Sequence, residues 1–255
     1  MADPAAGMNG APLEDIVAEA DRIMAAAEAQ GVLLRLIGGL AVHVHAHPMP
    51  PALTRSYGDI DTATVKGQNR AVTDLLTGLG YEAAQQFNAL QGSARMLFHD
   101  RTNDRKLDVF VDGFELNHAV PITARIDVEQ RTIPLAELLL TKLQVVEFTD
   151  KDMRDTLALL VGHDVGPGDG ETINSDVVAA LTAEDWGLWR TTELNLERLR
   201  EGIGTFGLDD EDQQVALDRI ARLWERIEVE PKSKRWRMRA RIGDRKRWYQ
   251  VPDEV

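Results

Sequence analysis

The apolar run at residues 32–37 (VLLRLI) ends directly on Gly38-Gly39, and this junction restricts the chain more than any other stretch. A short apolar run closed by two residues without a Cβ reads as a buried strand and then a tight turn. Residues 40–47 continue as a short helix, which Pro48, Pro50 and Pro51 bring to an end. Upstream, residues 13–30 are rich in alanine and place Leu13, Ile16, Val17, Ala20, Ile23 and Met24 on one helical face, with Gly31 as the stop. Downstream, 59–65 (DIDTATV) alternates polar and apolar as a strand does. Residues 69–79 form an amphipathic helix that ends at Gly80. Two further strands are expected at 94–99 and 106–111, separated by a polar turn, and another pair at 125–128 and 131–133. Pro134 suits the first turn of a helix over 135–147, and a second helix covers 151–161.

This order predicts an α/β (α+β) fold: a small mixed β-sheet flanked by helices, followed by a helical C-terminal part and a basic tail. The expected organisation is a disordered leader at 1–12, an α/β domain at 13–162, a linker at 163–170, a helical region at 171–230 and a tail at 231–255. The linker rests on the glycine-rich GHDVGPGDG around 162–170. The helical region rests on 176–203 and 209–230, where Trp186, Trp189 and Trp224 read as helical core. In the tail Arg235, Arg237, Arg239 and Arg241 alternate with Trp236, Met238, Ala240 and Ile242 ahead of Gly243-Asp244, which predicts a β-hairpin.

Composition removes several classes of function. The 255 residues include no cysteine, which excludes a disulfide scaffold, a zinc ribbon and thiol nucleophiles, and suits a reducing compartment. No run approaches the roughly 18–20 apolar residues of a membrane span. The first twelve residues have neither the basic start nor the apolar stretch of a signal peptide, so a cytoplasmic location is expected. Charge is uneven: residues 231–255 hold nine basic and three acidic side chains, and the remainder holds 20 basic against 39 acidic. An acidic body is a poor general binder of polyphosphate, and the basic tail is either an RNA-binding ribbon or a segment packed on that body.

Three features line up chemically. Gly38-Gly39 lies at a strand-to-helix turn, where the backbone can approach a phosphate and the helix N-terminus attracts the anion. Asp59 and Asp61 stand two apart on a strand, with Cα atoms about 6.5–7 Å apart on one face. Asp108 is flanked by Leu107, Val109 and Phe110 in another strand, and an unpaired buried carboxylate there is costly, so it should face solvent or a cleft. Hard carboxylate oxygens select Mg²⁺ or Mn²⁺, and two such ions can stabilise both oxygens of an in-line phosphoryl displacement. His43, His45 and His47 lack a nearby carboxylate to complete a zinc site and read as surface residues or as supports behind a site's ligands.

The ordered set resembles the DNA polymerase β-like nucleotidyltransferase superfamily, and within it the AbiEii/AbiGii toxin-type branch. The likeness covers residues 33–160. It rests on IGGLAVHVH at 37–45, Arg55 ahead of DID at 59–61, LLLTKLQV at 138–145 and KDMRD at 151–155. The resemblance implies a nucleotidyltransferase core that moves an NMP from an NTP to a hydroxyl acceptor (RNA, protein or small molecule), in a toxin-like setting with a cognate antitoxin protein as partner. It implies Asp59, Asp61 and Asp108 as catalytic metal ligands for two ions, with Asp108 close to the acceptor hydroxyl. Gly38, Gly39, Arg55, Lys142 and Asp152 would serve nucleotide binding. Many relatives carry Gly-Ser where this chain has Gly38-Gly39, which removes one phosphate ligand. That departure motivates the alternative, a non-catalytic nucleotide- or partner-binding module on the same fold.

Overall fold

The computed structural model describes residues 10–46 and 48–251. The chain forms two compact units. The first takes the chain up to Ala41 together with Ser56–Phe114 and Pro121–Ile133; the second takes Val42–Arg55, Glu115–Val120 and the chain from Pro134. Most of the expected leader, and His47, lie outside the described residues.

The first unit is built on a mixed five-stranded sheet of order β1-β2-β5-β4-β3. Its strands are β1 (Arg35–Leu36), β2 (Ile60–Thr64), β3 (Glu82–Ala83), β4 (Arg95–Asp100) and β5 (Arg105–Val111). Only β2 and β5 run parallel; the β1–β2, β4–β5 and β3–β4 pairs are antiparallel. The helices of this part are α1 (Ile16–Ala29), α2 (Gly38–His45), α3 (Asn69–Gly78) and α4 (Gln85–Gln91), and the chain passes into the second unit within α2. Ile23 of α1, Leu75 and Leu76 of α3, and Ile60, Phe98 and Leu107 of the strands are fully buried, which is the apolar face that the sequence periodicity marks.

Polar ties hold this unit where apolar packing ends. The wholly buried Glu19 carboxylate accepts two hydrogen bonds from Arg22, one from the Tyr81 hydroxyl and one from the Leu13 N–H, all at 2.8–2.9 Å. Burial, reinforced by the Glu19 charge, pushes the Tyr81 phenol well above its ordinary range. The expected strand pair at 125–133 does not form. A single helical turn occupies Thr123–Arg125, and Leu36 of β1 makes one parallel bridge to Thr132. The stretch is too short and too rich in charged residues to keep a ladder, so it serves as a strap beside β1.

The second unit is mainly helical. Past β6 (Gly113–Glu115) and β7 (Ala119–Pro121), where the chain crosses between units, come α5 (Leu135–Leu143), α6 (Asp150–Gly162), α7 (Ser175–Glu184), α8 (Trp186–Gly202), α9 (Asp210–Val229) and α10 (Lys234–Ala240). The expected linker at 163–170 is instead partly a strand: β8 (Asp164–Gly166) pairs in parallel with β9 (Thr172–Asn174), and only the intervening glycines form the loop. The helix expected over 176–203 divides at Asp185, whose carboxylate accepts from the N–H groups of Gly187 and Leu188 and starts α8.

The tail corrects the expected hairpin. Residues Lys234–Ala240 are helical, with Ser233 as the N-cap accepting from the Trp236 N–H. Lysine, arginine, methionine and alanine all favour helix, and the segment has no β-branched residue, so propensity and a cap override the alternation of charge. The tail then returns over the unit. The Trp248 indole donates to the Thr191 hydroxyl at 3.0 Å, and Gln250 exchanges backbone and side-chain bonds with Asn117.

Asn117 and His118 are both anchored by backbone N–H bonds to Gln144 Oε1, and the His118 ring meets the Thr191 hydroxyl at 2.8 Å. Burial lowers the His118 pKa from 6.5 to about 4, against the opposing pull of Asp185. The unfolded chain therefore takes up this proton first as pH falls. The contribution to stability is full above pH 6.5 and is lost as pH drops towards 4. Between pH 7 and pH 4.5 the loss should be about 2–3 kcal/mol. Urea unfolding across that range should show it, and His118→Gln should flatten the wild-type slope by that amount.

Candidate functional site

In the first unit the glycine turn and two of the three acids converge. The Ile37 N–H donates to the Asp61 carbonyl at 3.0 Å, which ties the end of the first apolar run to β2. Gly38, the first residue of α2, has φ +68°, and a Cβ built on it would lie 2.5 Å from Asp61 Oδ2. Both the backbone angle and the space therefore require glycine. The Asp61 carboxylate packs against the N-terminal end of α2, where the partial positive charge of the helix favours an anion.

Asp61 and Asp108 are register partners on the parallel pair β2–β5, so they project to the same face on neighbouring strands. The buried Thr62 hydroxyl donates to the Asp108 carbonyl at 2.8 Å and pins that register. Asp59 is exposed and stands immediately before β2. Asp108 is 5% exposed, and the Arg95 Nε–H donates to its Oδ1 at 2.7 Å. The Arg95 guanidinium also lies 5.4 Å from the Phe110 ring centroid and 5.9 Å from that of Phe87, held by two aromatic faces. Arg95 carried no signal of its own. Its position becomes readable only once β4 is set antiparallel to β5, with Arg95 opposite Phe110.

The remaining predicted residues belong to the second unit and form a cluster there. Arg55 grips Asp155 through two bonds of 2.8 Å, and the Lys142 ammonium lies 2.8 Å from the same carboxylate. Lys142 is also 3.9 Å from Asp152. Asp152 sits in the first turn of α6 and closes a capping box with Thr149, each bonding the other's backbone N–H. Arg55 and Lys142, expected to serve nucleotide binding, thus both pair with one carboxylate in this structure, and Asp152 holds a helix end. The centre of the cluster, Asp155, is the residue that the sequence reading passed over. Its signal was the spacing within KDMRD, where Asp152 and Asp155 fall on one helical face.

As a test of metal fit, the donors are of the right kind. Asp59 and Asp61 supply hard oxygens, and a divalent ion would relieve the repulsion between the Asp61 carboxylate and a phosphate at the α2 turn. Asp108 is held by Arg95, and among the described residues no three acidic or histidine side chains are placed to share one ion. Asp59 and Asp61 have the donor chemistry for a divalent ion; bringing in Asp108 would require Arg95 to release it. Comparison with family models, with curated proteins and with solved structures returned no match.

Two substitutions test this geometry. Gly38→Ala should cost roughly 1–3 kcal/mol, because the residue must hold a left-handed angle against Asp61. Chemical denaturation measures that loss. Asp155→Ala removes the carboxylate that Arg55 and Lys142, both mostly buried, share, and should cost about 3–5 kcal/mol. Adding Lys142→Met to Asp155→Ala should recover part of it.

Proposed function

We propose that the chain is a divalent-metal-dependent nucleotidyltransferase that moves an NMP from an NTP to a hydroxyl acceptor. The observation that carries the reading is the convergence of the Gly38 turn, Asp61 and Asp108 at one end of the β2–β5 pair. A glycine turn opening a helix beside two carboxylates suits a triphosphate with its counter-ion better than it suits a purely structural junction. Asp59 and Asp61 would hold Mg²⁺ or Mn²⁺, which when bound supplies charge neutralisation at the α- and β-phosphates. The backbone at Gly38 and Gly39 would receive the triphosphate and orient it. Asp108, on the neighbouring strand, would stand by the acceptor hydroxyl. In the reaction the acceptor hydroxyl would give its proton to solvent as its oxygen bonds to the α-phosphorus, the bond from that phosphorus to the α,β-bridging oxygen breaks, and pyrophosphate leaves. Most of the rate would come from positioning and fixed charge. A second ion, as the family resemblance implies, would need Asp108 freed from Arg95.

The Arg95–Asp108 pair also favours a second reading, a nucleotide-binding module without transfer, since it neutralises the carboxylate nearest the expected acceptor. The two readings differ in one measurement. Under the first, each NTP with Mg²⁺ and a mixture of cellular acceptors should yield pyrophosphate. Asp59→Asn and Asp61→Asn should then lower that rate by about 10²–10³-fold while the fold persists. Stabilisation by Mg²⁺ and NTP with no pyrophosphate from any acceptor favours the module. No stabilisation at all, or full transfer by both variants, removes the site.

A further inference from the structure

The second unit contains a cavity of about 290 Å³ between the tail and the start of α8. Four of its lining residues are aromatic: Trp186, Trp236, Trp248 and Tyr249. Three are arginines: Arg235, Arg239 and Arg247. The tail is fixed in place around it. Trp236 packs edge-on against Trp189 at 5.3 Å, Trp248 against Trp186 at 6.2 Å, and Tyr249 against Trp248 at 5.5 Å. Gly187 admits the Trp248 carbonyl where any Cβ would overlap it.

The arginines divide by role. Arg239 lies 4.4 Å over the Trp186 ring and donates to the Gly243 and Lys246 carbonyls, so it builds the wall. Arg235 and Arg247 are exposed and make no ion pair among the described residues, although the Arg247 guanidinium lies 5.7 Å from the Tyr249 ring centroid. The Trp236 Nε1–H is buried without a hydrogen-bond partner, an orphaned donor on a residue that lines the cavity. Asp185 directs its carboxylate to the α8 N-terminus, whereas Glu184 remains at the rim.

We propose that this pocket binds single-stranded RNA, with an unpaired base against the aromatic faces and its flanking phosphates on Arg235 and Arg247. Indole and phenol faces beside guanidinium groups are the combination that holds unpaired bases with their phosphates. A free nucleotide would use two cations, but Arg237, Arg241, Arg245 and Lys246 are exposed on the same segment. The lone acid among the tail's described residues, Asp244, is already paired with Arg190. That surplus matches a polymer rather than a single phosphate ester. Glu184 is unfavourable near phosphate and useful near a ribose hydroxyl, which can donate to it; this selects RNA over DNA. The site does not depend on the transfer reaction.

The probe is a short fluorescein-labelled oligouridylate titrated with the intact chain at low salt. Expected are saturable binding that weakens steeply with added salt and quenching of the tryptophan emission. The double variant Arg235→Glu/Arg247→Glu changes exposed side chains, gives up the Arg247–Tyr249 contact, and should weaken binding about ten-fold or more while circular dichroism shows the fold intact. Trp236→Phe keeps an aromatic ring but removes the orphaned donor and part of the indole, and should weaken binding by a smaller factor. Four results would each overturn the proposal. They are no binding, binding unaffected by the charge reversal, equal binding of the deoxy oligomer, and equal competition by uridine monophosphate or by duplex RNA.

Discussion

The Thr62 hydroxyl donates to the Asp108 carbonyl from a fully buried position, and this tie fixes which residues of β2 and β5 stand opposite each other. A slip of one residue would send Asp108 to the other face of the sheet. Held in register, Asp61 and Asp108 place like charges on adjacent strands, about 4.8 Å apart along the hydrogen-bonding direction. The rest of the site answers that arrangement. The end of α2 meets Asp61, glycine leaves room for its oxygen, and Arg95 meets Asp108.

Arg95 is one case of a habit of this chain. Glu19 with Arg22, Asp100 with Arg105 and Asp155 with Arg55 are likewise almost buried acids, each met by an arginine at 2.7–2.8 Å. For Asp100, burial works to raise the pKa, yet hydrogen bonds from Asn103 and Arg105 prevail and hold it below the usual range. A planar guanidinium keeps its charge and fits both carboxylate oxygens, which lysine cannot do with one ammonium. A chain with a net charge of −13 thus commits several partly buried arginines to its buried acids, where they decide the conformation of those acids rather than offset surface charge.

What the sequence made legible follows from how far each signal is local. The strand–glycine–helix junction, the alternation in 59–65 and the apolar stripes of α1 and α3 involve neighbours in the chain, and they appear in the structure within a few residues of the expected ends. The same locality explains Asp59, Asp61 and the Gly38 turn as candidates. The failures involve partners far away. The strand at 164–166 exists because 172–174 pairs with it. The short β3 depends on β4, and Asp155 matters because Arg55 reaches it from a hundred residues upstream. The tail failed for a different reason: a two-residue period in charge was taken for a period in burial, although Ser233 and the residues after it favour a helix.

The division of the chain into units has a consequence for its synthesis. The polypeptide changes unit after Ala41, Arg55, Phe114, Val120 and Ile133, so no single cut separates the two. A fragment ending at the glycine-rich stretch near 162 would carry the whole first unit plus α5 and α6, stripped of the helices they pack against. During translation the first unit has all its strands once Ile133 has emerged, while 42–55 and 115–120 must wait for helices not yet made. Those two segments therefore stay longest without the later part of their own unit during synthesis.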